Sequence, residues 1–342
     1  MKAAVLHGIR DLRLEEVPEP KITAPDEVLV RVRWVGVCGS DVHYYTRGRV
    51  GGCVVESAMI LGHECSGEVV EVGAEVKGLV MGTKVAMEPG VPCRRCEHCH
   101  GGRYNLCPDI VFWATPPVDG SLTEYVVMPQ DFVFRLPEGM SLLEGALMEP
   151  LATGVAVGRR GEVAPGRTVA ILGAGPIGLM CLQVCCAFGA DRVAVTDIRS
   201  ERLERALALG ADATIEASGD VVGSLRREFD SPGPDIVIEA AGTEETTRQA
   251  IEAVRPGGTV VLVGIAPEPA FPVNVARIIQ SELQVRGIFR YANTFATAVS
   301  LCARGAVDVK SLVTHTFPLE RVVEAYELAA TGAGVKMMIE IP

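Results

Sequence analysis

Residues 168–197 read TVAILGAGPIGLMCLQVCCAFGADRVAVTD, and this stretch decides the fold. The β-branched run Thr168–Leu172 predicts a short buried strand, and a G-x-G-x-x-G pattern at residues 173–178 follows it directly. Pro176–Phe188 has the length of a helix, and Arg192–Asp197 predicts a second strand. This order is typical of the first half of a parallel sheet that binds a dinucleotide.

The glycine motif predicts where the cofactor binds. Gly173 permits a tight turn, Gly175 lets the backbone approach a pyrophosphate, and Gly178 lets helix and strand pack closely. The predicted helix begins at Pro176, with Ile177 in its first turn. Its N-terminus offers free N–H groups and a positive dipole end to the phosphates.

Asp197 favours NAD over NADP. It ends the second strand about 20 residues after the motif, where a carboxylate accepts hydrogen bonds from ribose hydroxyls and repels a 2′-phosphate. Arg199 and Arg202 lie nearby and favour that phosphate instead, but the glycine motif at its expected distance upstream supports the ribose role of Asp197.

Strands and helices alternate beyond this stretch. We predict a helix at Ser200–Leu209 with Ser200 as its N-cap, strands at Asp235–Glu239 and Thr259–Val263, and a helix around Thr246–Val254. Such alternation predicts a doubly wound parallel sheet.

The flanking regions have a different pattern. Residues 1–150 are rich in strands and long loops, with strands predicted at Glu27–Val37, Glu68–Val72, Gly82–Met87 and Leu122–Met128. Toward the C-terminus we predict a strand near Leu283–Phe289, helices near Thr294–Arg304 and Leu319–Ala330, and a last strand at Val335–Ile341.

Composition excludes several classes of partner. The net charge of −11 argues against a nucleic acid or an anionic membrane, and an aromatic fraction of 5% argues against stacked bases. Charges at Arg10, Asp11 and Arg13 interrupt the N-terminal apolar stretch, so no signal peptide is expected. We therefore expect a cytoplasmic protein.

Four of the eleven cysteines are clustered. Cys93, Cys96, Cys99 and Cys107 offer four soft ligands from one loop, and four thiolates satisfy a tetrahedral zinc without leaving an open position. This density predicts a structural zinc. His98 and His100 lie in the same loop as surplus ligands.

A second group of possible ligands is dispersed. Cys38, His63 with Glu64, and Glu149 suit a zinc that keeps an open position for substrate or water. Each is ambiguous alone, because a buried cysteine is usually a small hydrophobe and Glu149 precedes a proline. Spacing does not bring them together.

The motifs CGSDVHYYTRGRVG, ILGHECSGEVVEVG, ATPPVDGSL, LMEPLATG, GAGPIG and GIFRYANT resemble, over the whole length, the zinc-dependent medium-chain dehydrogenases, and among them the sorbitol/xylitol (polyol) branch. The resemblance implies an α/β protein with a GroES-like, β-rich catalytic domain at residues 1–150, completed by about residues 281–342. A Rossmann domain at residues 151–280 lies between them, with the active site in the cleft. The complete four-cysteine loop, which mammalian polyol dehydrogenases lack, implies two zinc ions per subunit.

Site roles also follow from the resemblance. It implies Cys38 and His63 as zinc ligands, Glu64 as the third, and Glu149 as a ligand or as the group that holds the zinc-bound water. The substrate pocket would contain Tyr44, Phe112, Thr115, Glu149, Arg290 and Tyr291. Cofactor contacts would come from the glycine motif with Pro176 and Ile177, and from Asp197, Arg202, Val263, Gly264, Ile265, Ile288, Phe289 and Arg290.

These roles predict an oxidoreductase that passes hydride from the C2 hydroxyl of a polyol to NAD and yields a ketose. Zinc lowers the pKa of the substrate hydroxyl, and the proton leaves through water held by Glu149 or through Ser40 toward His43. One rival is another zinc dehydrogenase, acting on threonine, butanediol or a simple alcohol, although the polar Arg290, Glu149 and Tyr44 favour a polyol. A redox-inactive NAD-binding structural protein is a second rival, which the complete catalytic set disfavours. The family predicts a homo-oligomer, a dimer or a tetramer.

Overall fold

The computed structural model describes residues 1–230, 232–266 and 270–342. These residues form two compact units. The first comprises Met1–Glu149, Phe295–Ala303 and Val309–Pro342, and the second comprises Pro150–Thr294 and Arg304–Asp308. The second unit extends past residue 280, the boundary inferred from the sequence, because residues 284–287 form a strand of its sheet.

The first unit begins with antiparallel strands. They are β1 (Lys2–Gly8), β2 (Asp11–Glu16), β3 (Glu27–Gly36), β4 (Arg49–Val50), β5 (Cys53–Val54), β6 (Met59–Ile60), β7 (Glu64–Val72), β8 (Lys84–Met87), β9 (Gly90–Val91), β10 (Val111–Phe112), β11 (Tyr125–Pro129) and β12 (Val133–Arg135). In β3, Val28, Val30 and Val32 are fully buried and alternate with partly exposed residues, as its sequence predicts. β3 pairs with both β7 and β11.

Helices lie between these strands and after β12, and the last of them continues into the second unit. They are α1 (Gly39–Arg47), α2 (Glu97–His100), α3 (Leu142–Ala146) and α4 (Met148–Gly161), with 3₁₀ turns at Tyr104–Leu106 and Gln130–Phe132. A capping box of Ser141 and Glu144 begins α3. Helix α1, whose buried face consists of Asp41, Tyr44 and Tyr45, was not predicted from the sequence. A nine-residue helix gains its stability from such tertiary burial, which sequence periodicity does not reveal.

The second unit contains the predicted doubly wound sheet. Its six strands are β13 (Thr168–Leu172), β14 (Arg192–Asp197), β15 (Ala213–Glu216), β16 (Ile236–Glu239), β17 (Thr259–Leu262) and β18 (Gln284–Gly287). They are all parallel, in the order β15-β14-β13-β16-β17-β18. The strand order therefore reverses between β13 and β16, which is where such sheets bind ligands.

Five helices connect the strands of this sheet. They are α5 (Pro176–Ala187), α6 (Ser200–Ala208), α7 (Val221–Glu228), α8 (Glu244–Ala253) and α9 (Val275–Gln280). The predicted N-cap of α6 is wrong by one residue. Arg199 is the N-cap, because its carbonyl accepts from the N–H groups of Arg202 and Leu203 while its own N–H donates to Asp197, and Ser200 is already helical.

The C-terminal segment returns to the first unit. α10 (Phe295–Ala303), β19 (Val313–Pro318), α11 (Val322–Ala330) and β20 (Lys336–Glu340) follow, with 3₁₀ turns at Lys310–Leu312 and Leu319–Arg321. β20 pairs antiparallel with β3 and parallel with β19, so the sheet order becomes β12-β8-β7-β3-β20-β19, with β11 on β3. Among the residues described, no helix is both long enough and apolar enough to cross a membrane.

Candidate functional site

Strand pairing in the first unit brings Cys38, His63 and Glu64 together. Cys38 follows β3, His63 precedes β7, and the register of these two strands sets Gly36 opposite Glu64. One ligand atom from each of the three side chains lies within 4.8 Å of the other two. The grouping depends on two strands rather than on spacing, which is why the sequence did not reveal it.

Asp41 orients His63. Its fully buried carboxylate lies with Oδ1 3.3 Å from Nδ1 of His63, which leaves the other ring nitrogen for a ligand. Burial lowers the pKa of His63, but the negative charges of Asp41 and Cys38 outweigh burial and raise it well above its ordinary value. Surroundings that favour positive charge on His63 also favour a bound cation.

Lys336 holds the carboxylate of Glu64. The two buried side chains form an ion pair, and Nζ of Lys336 also donates to the carbonyl of Val37 at 3.0 Å. Burial lowers the pKa of Lys336, but Glu64 outweighs burial and raises it. A Cβ atom on Gly36 would overlap the carboxylate of Glu64, so this position accommodates only glycine. The pairing fixes one oxygen of Glu64 and limits its rotation.

The other predicted catalytic residues are Ser40, His43 and Glu149. The hydroxyl of Ser40 donates to Sγ of Cys38 at 3.2 Å, at the N-terminus of α1. Burial and the positive charge of Arg47 lower the pKa of His43. Glu149 is buried in the first turn of α4. Among the described residues, it is not part of the group formed by Cys38, His63 and Glu64.

Three further predicted pocket residues lie in the same unit. Tyr44 is buried on α1, and Phe112 is buried in β10. The ring of Phe112 is 5.8 Å from the imidazole of His63 between centroids, at an interplanar angle of 57°. The N–H of Thr115 donates to the carbonyl of Phe112 at 3.2 Å. Ala114, between them, has φ 51°, an uncommon backbone conformation for a side chain with a Cβ atom.

The donor set at Cys38, His63 and Glu64 fits zinc. A thiolate, an imidazole and a carboxylate are zinc donors, and three protein ligands leave a tetrahedral position open. Cys38 is the N-cap residue of α1, so the start of this helix places its sulfur beside His63 and Glu64.

The four clustered cysteines also converge. Their sulfur atoms lie within 4.8 Å of one another, and the N–H of Cys93 donates to Sγ of Cys107 at 3.3 Å. A hydrogen bond from the backbone of Arg95 lowers the pKa of Cys93 to about 7. Arg94 has φ 63°, which turns the chain tightly after Cys93. Four thiol groups in this arrangement fit a closed tetrahedral zinc.

The predicted cofactor residues of the second unit lie at one edge of its sheet, where the strands end. Gly173 follows β13, Asp197 ends β14, Val263–Ile265 follow β17, and Ile288–Arg290 follow β18. A Cβ atom on Gly178 would overlap the carbonyl of Gly173, so the third glycine is required for close packing. The missing side chain of Gly175 faces open space with the guanidinium of Arg202 at 4.0 Å, as suits an anionic ligand.

Asp197 does more than the sequence indicated. Its carboxylate accepts from the N–H of Ala174 at 2.7 Å and from the N–H of Arg199 at 3.0 Å, and Arg202 lies 3.9 Å away. Asp197 therefore holds the glycine loop in place, and its remaining lone pairs can accept from a ribose. Arg290 has φ 54° and stacks on Phe289, and Tyr291 beside it is buried.

Sequence reasoning missed three residues. Asp41 and Lys336 hold His63 and Glu64, as described above. Glu239, at the end of β16, is buried and accepts from the N–H groups of Ala241 and Gly242. Asp41 stands three residues after Cys38, and this spacing is a local signal that could have identified it. Lys336 is too far along the chain from Glu64 for any local signal.

Comparison with known proteins places this chain in a family. A zinc-binding dehydrogenase model matches residues 176–304, and an alcohol dehydrogenase GroES-like domain model matches residues 24–138. A sorbitol dehydrogenase from Bacillus subtilis is 46% identical over 96% of this chain and 93% of its own. The chain belongs to the zinc-binding dehydrogenases.

Two further proteins extend the comparison. A probable D-xylulose reductase A from Emericella nidulans is 44% identical over 99% of this chain and 96% of its own. A solved Escherichia coli oxidoreductase of unknown specificity is 38% identical, with a TM-score of 0.95, and covers 100% of this chain and 99% of its own. The predicted family, with a GroES-like and a Rossmann-type domain, is confirmed.

Proposed function

We propose that this zinc-binding dehydrogenase oxidises a polyol of the sorbitol or xylitol type at its C2 hydroxyl with NAD⁺ and yields a ketose. The observation that carries the proposal is the buried group of Cys38, His63 and Glu64, in a chain about 45% identical to sorbitol dehydrogenases and D-xylulose reductases. The donor types match a catalytic zinc, and the relatives supply the substrate class.

Three residues hold the catalytic zinc in this proposal. Cys38, His63 and Glu64 are its protein ligands, since they form the group of neighbouring donor atoms. When bound, zinc supplies a Lewis acid that stabilises the deprotonated substrate hydroxyl near neutral pH. Glu149, buried but outside that group, accepts a hydrogen bond from the substrate or its water. The four-cysteine loop holds a second, structural zinc.

Ser40 and His43 form the proposed proton route. The hydroxyl of Ser40 is next to Cys38, and His43 stands three residues later on the same helix. Because burial and Arg47 lower the pKa of His43, its imidazole is neutral near pH 7 and can accept a proton.

The additional hydroxyls of a polyol distinguish it from a simple alcohol. We assign their recognition to the polar groups of Tyr44, Thr115, Arg290 and Tyr291, with Phe112 as an apolar wall beside His63. A hydrogen bond to a charged group such as Arg290 contributes about 1.5–3 kcal/mol. An analogue that lacks the matching hydroxyl leaves that group unpaired and is rejected strongly.

A substrate panel tests this proposal. Sorbitol, xylitol, 2,3-butanediol, threonine and 2-butanol are compared by kcat/KM with NAD⁺ and with NADP⁺. A polyol with NAD⁺ is expected to give the highest value, and Arg290→Ala is expected to reduce it far more for polyols than for 2-butanol. Faster turnover of threonine, butanediol or 2-butanol than of any polyol rejects the substrate class.

NAD preference is assigned to Asp197. Asp197→Ser removes the charge that repels a 2′-phosphate and leaves Arg199 and Arg202 to bind it. The variant also loses acceptors for Ala174 and Arg199, so both cofactors are expected to bind a less ordered loop. We expect weaker NAD⁺ binding and a larger fraction of NADP⁺ activity, measured as the ratio of the two kcat/KM values. Wild-type preference for NADP⁺ contradicts the assignment.

We also propose a homodimer or homotetramer that works in the cytoplasm. Support for self-association comes from β18, which ends its sheet and exposes Val285, with Ile279 and Phe289 exposed nearby in the chain. Sedimentation equilibrium tests the oligomeric state, and a monomer at micromolar concentration contradicts it.

A further inference from the structure

The four-cysteine loop begins and ends on the strand pair that carries Phe112. β9 ends at Val91, two residues before Cys93, and β10 begins at Val111, four residues after Cys107. These strands pair antiparallel, with Phe112 opposite Gly90. Both arms of the loop therefore pass through one short strand pair.

Phe112 is packed between this pair and His63. A Cβ atom on Gly90 would lie 2.8 Å from Cδ2 of Phe112, so the ring rests directly on the glycine backbone. The ring also lies beside the imidazole of His63, with centroids 5.8 Å apart. Next to the β9–β10 pair, the N–H of Trp113 donates a hydrogen bond to the carbonyl of Pro89 at 3.1 Å. A shift of β10 against β9 moves the ring relative to His63.

The strand pair is too short to fix this position by itself. Two residues per strand form few hydrogen bonds, and an isolated hairpin is marginal in water. The hydroxyl of Tyr104 donates to Glu88 at 2.7 Å and holds the middle of the loop, but the arm to β10 begins after Cys107. Cys93 and Cys107, whose sulfur atoms belong to one four-thiol group, are the positions at which the two arms are joined.

We propose that the four-cysteine site tunes substrate binding by positioning Phe112. A metal held by the four thiolates joins the arms of β9 and β10, keeps the ring against His63 and thereby sets the width of the substrate pocket. This inference rests on the proposed function, because it takes His63 as a catalytic zinc ligand and Phe112 as a pocket wall. Cys96 and its partners act through Phe112 and are positioning residues.

A double-mutant cycle tests the coupling. Cys96→Ser is expected to lower kcat/KM for sorbitol about 10-fold, mainly by raising KM, because a displaced pocket wall weakens substrate positioning. In a Phe112→Ala background, the same change is expected to cost less than about 2-fold, because the ring that transmits the effect is absent. Equal factors in both backgrounds, or no loss in the wild-type background, overturn the proposal.

A spectroscopic readout separates this proposal from the substrate assignment. With cobalt(II) exchanged into the catalytic site, Cys96→Ser is expected to shift the visible absorption bands of the cobalt, and to shift them much less when Phe112 is alanine. The measurement needs no polyol turnover, so it decides the coupling even if the enzyme prefers another alcohol. Bands unchanged by Cys96→Ser overturn the coupling.

Gly90→Ala provides a second variant in case Cys96→Ser does not fold. Its methyl group would lie 2.8 Å from Cδ2 of Phe112 and displaces the ring while all four cysteines remain. We expect a KM raised about 3-fold or more, shifted cobalt bands and a retained loop metal. An unchanged KM together with unchanged bands contradicts the role of Phe112.

Discussion

The two proposed metal sites of the first unit are built in opposite ways. The four cysteines come from one loop between residues 93 and 107, and three of them are partly exposed. Cys38, His63 and Glu64 come from the ends of two strands. The buried charge of Asp41 holds His63, and the buried charge of Lys336 holds Glu64. The loop is a local structure with ligands of one kind. The buried site exists only when the whole sheet is folded.

This difference separates structural from chemical roles. Four like ligands leave a zinc no open position, so the loop acts only by holding together the segments that lead to β9 and β10. Three unlike ligands leave a position for substrate, and their surrounding charges tune the metal. Changes at the two sites are therefore expected to affect different measured quantities.

His63→Ala is expected to have the largest effect on catalysis. Removal of a ligand from the open site lowers kcat/KM by roughly 10³-fold, because the Lewis acid is lost or misplaced. Steady-state kinetics measures this loss, and circular dichroism checks that the fold is intact. Retention of more than about a tenth of the wild-type activity contradicts the assignment of His63.

Cys96→Ser is expected to act mainly on stability. Loss of a cross-link that closes a loop of this size lowers the free energy of unfolding by about 3 kcal/mol, by analogy with a disulfide. Differential scanning calorimetry is then expected to give a Tm lower by roughly 5–10 °C. A variant as stable as the wild type shows that the loop metal has no structural role.

Asp41→Asn tests the support of the open site. The neutral amide no longer supplies a negative charge beside His63, and zinc affinity or activity is expected to fall about 10–100-fold. Asp131→Asn is a matched control beside the loop, where Oδ1 of Asp131 accepts from Arg94 at 2.7 Å on the protein surface. The control is expected to change kcat/KM by less than about 2-fold. Similar losses in the two variants remove the distinction between the sites.

Glu88→Gln tests whether the buried carboxyl group of Glu88, which accepts from Tyr104 of the loop, makes the stability depend on pH. Burial raises the pKa of Glu88 to about 7, although Tyr104 of the loop donates to its carboxylate. Folded protein therefore binds an extra proton between about pH 4.5 and 7, and stability falls as pH rises through that range. Above pH 7 the buried charge is fully destabilising.

The glutamine variant removes that charge and retains an acceptor for Tyr104. We expect it to be more stable than wild type by about 1 kcal/mol at pH 8 and no more stable at pH 5, by chemical denaturation at both values. An equal difference at both values contradicts the titration of Glu88.

The local features of the chain were predictable from sequence. The glycine motif and the four cysteines are each defined within about fifteen residues, and the parallel sheet followed from alternating strands and helices. These predictions depend on backbone conformation and ligand type, both of which short segments determine. The resemblance to known dehydrogenases, rather than spacing, supplied the dispersed ligands.

The long-range contacts could not be derived this way. The pairing of Lys336 with Glu64 depends on β20 lying beside β3, which no local pattern specifies. Helix α1 was missed because its stability comes from burial of Tyr44 and Tyr45 rather than from sequence periodicity. The N-cap of α6 was placed one residue late because Asp197 fixes the preceding turn.

Zinc content tests the division between the two sites most directly. Purified wild-type protein, analysed by mass spectrometry for metals, is expected to contain about two zinc ions per chain. His63→Ala and Cys96→Ser are each expected to contain about one, with kcat lost in the first and kcat largely retained in the second, whose defect is in KM. A wild type with a single zinc, or a Cys96→Ser variant that keeps two, contradicts the account.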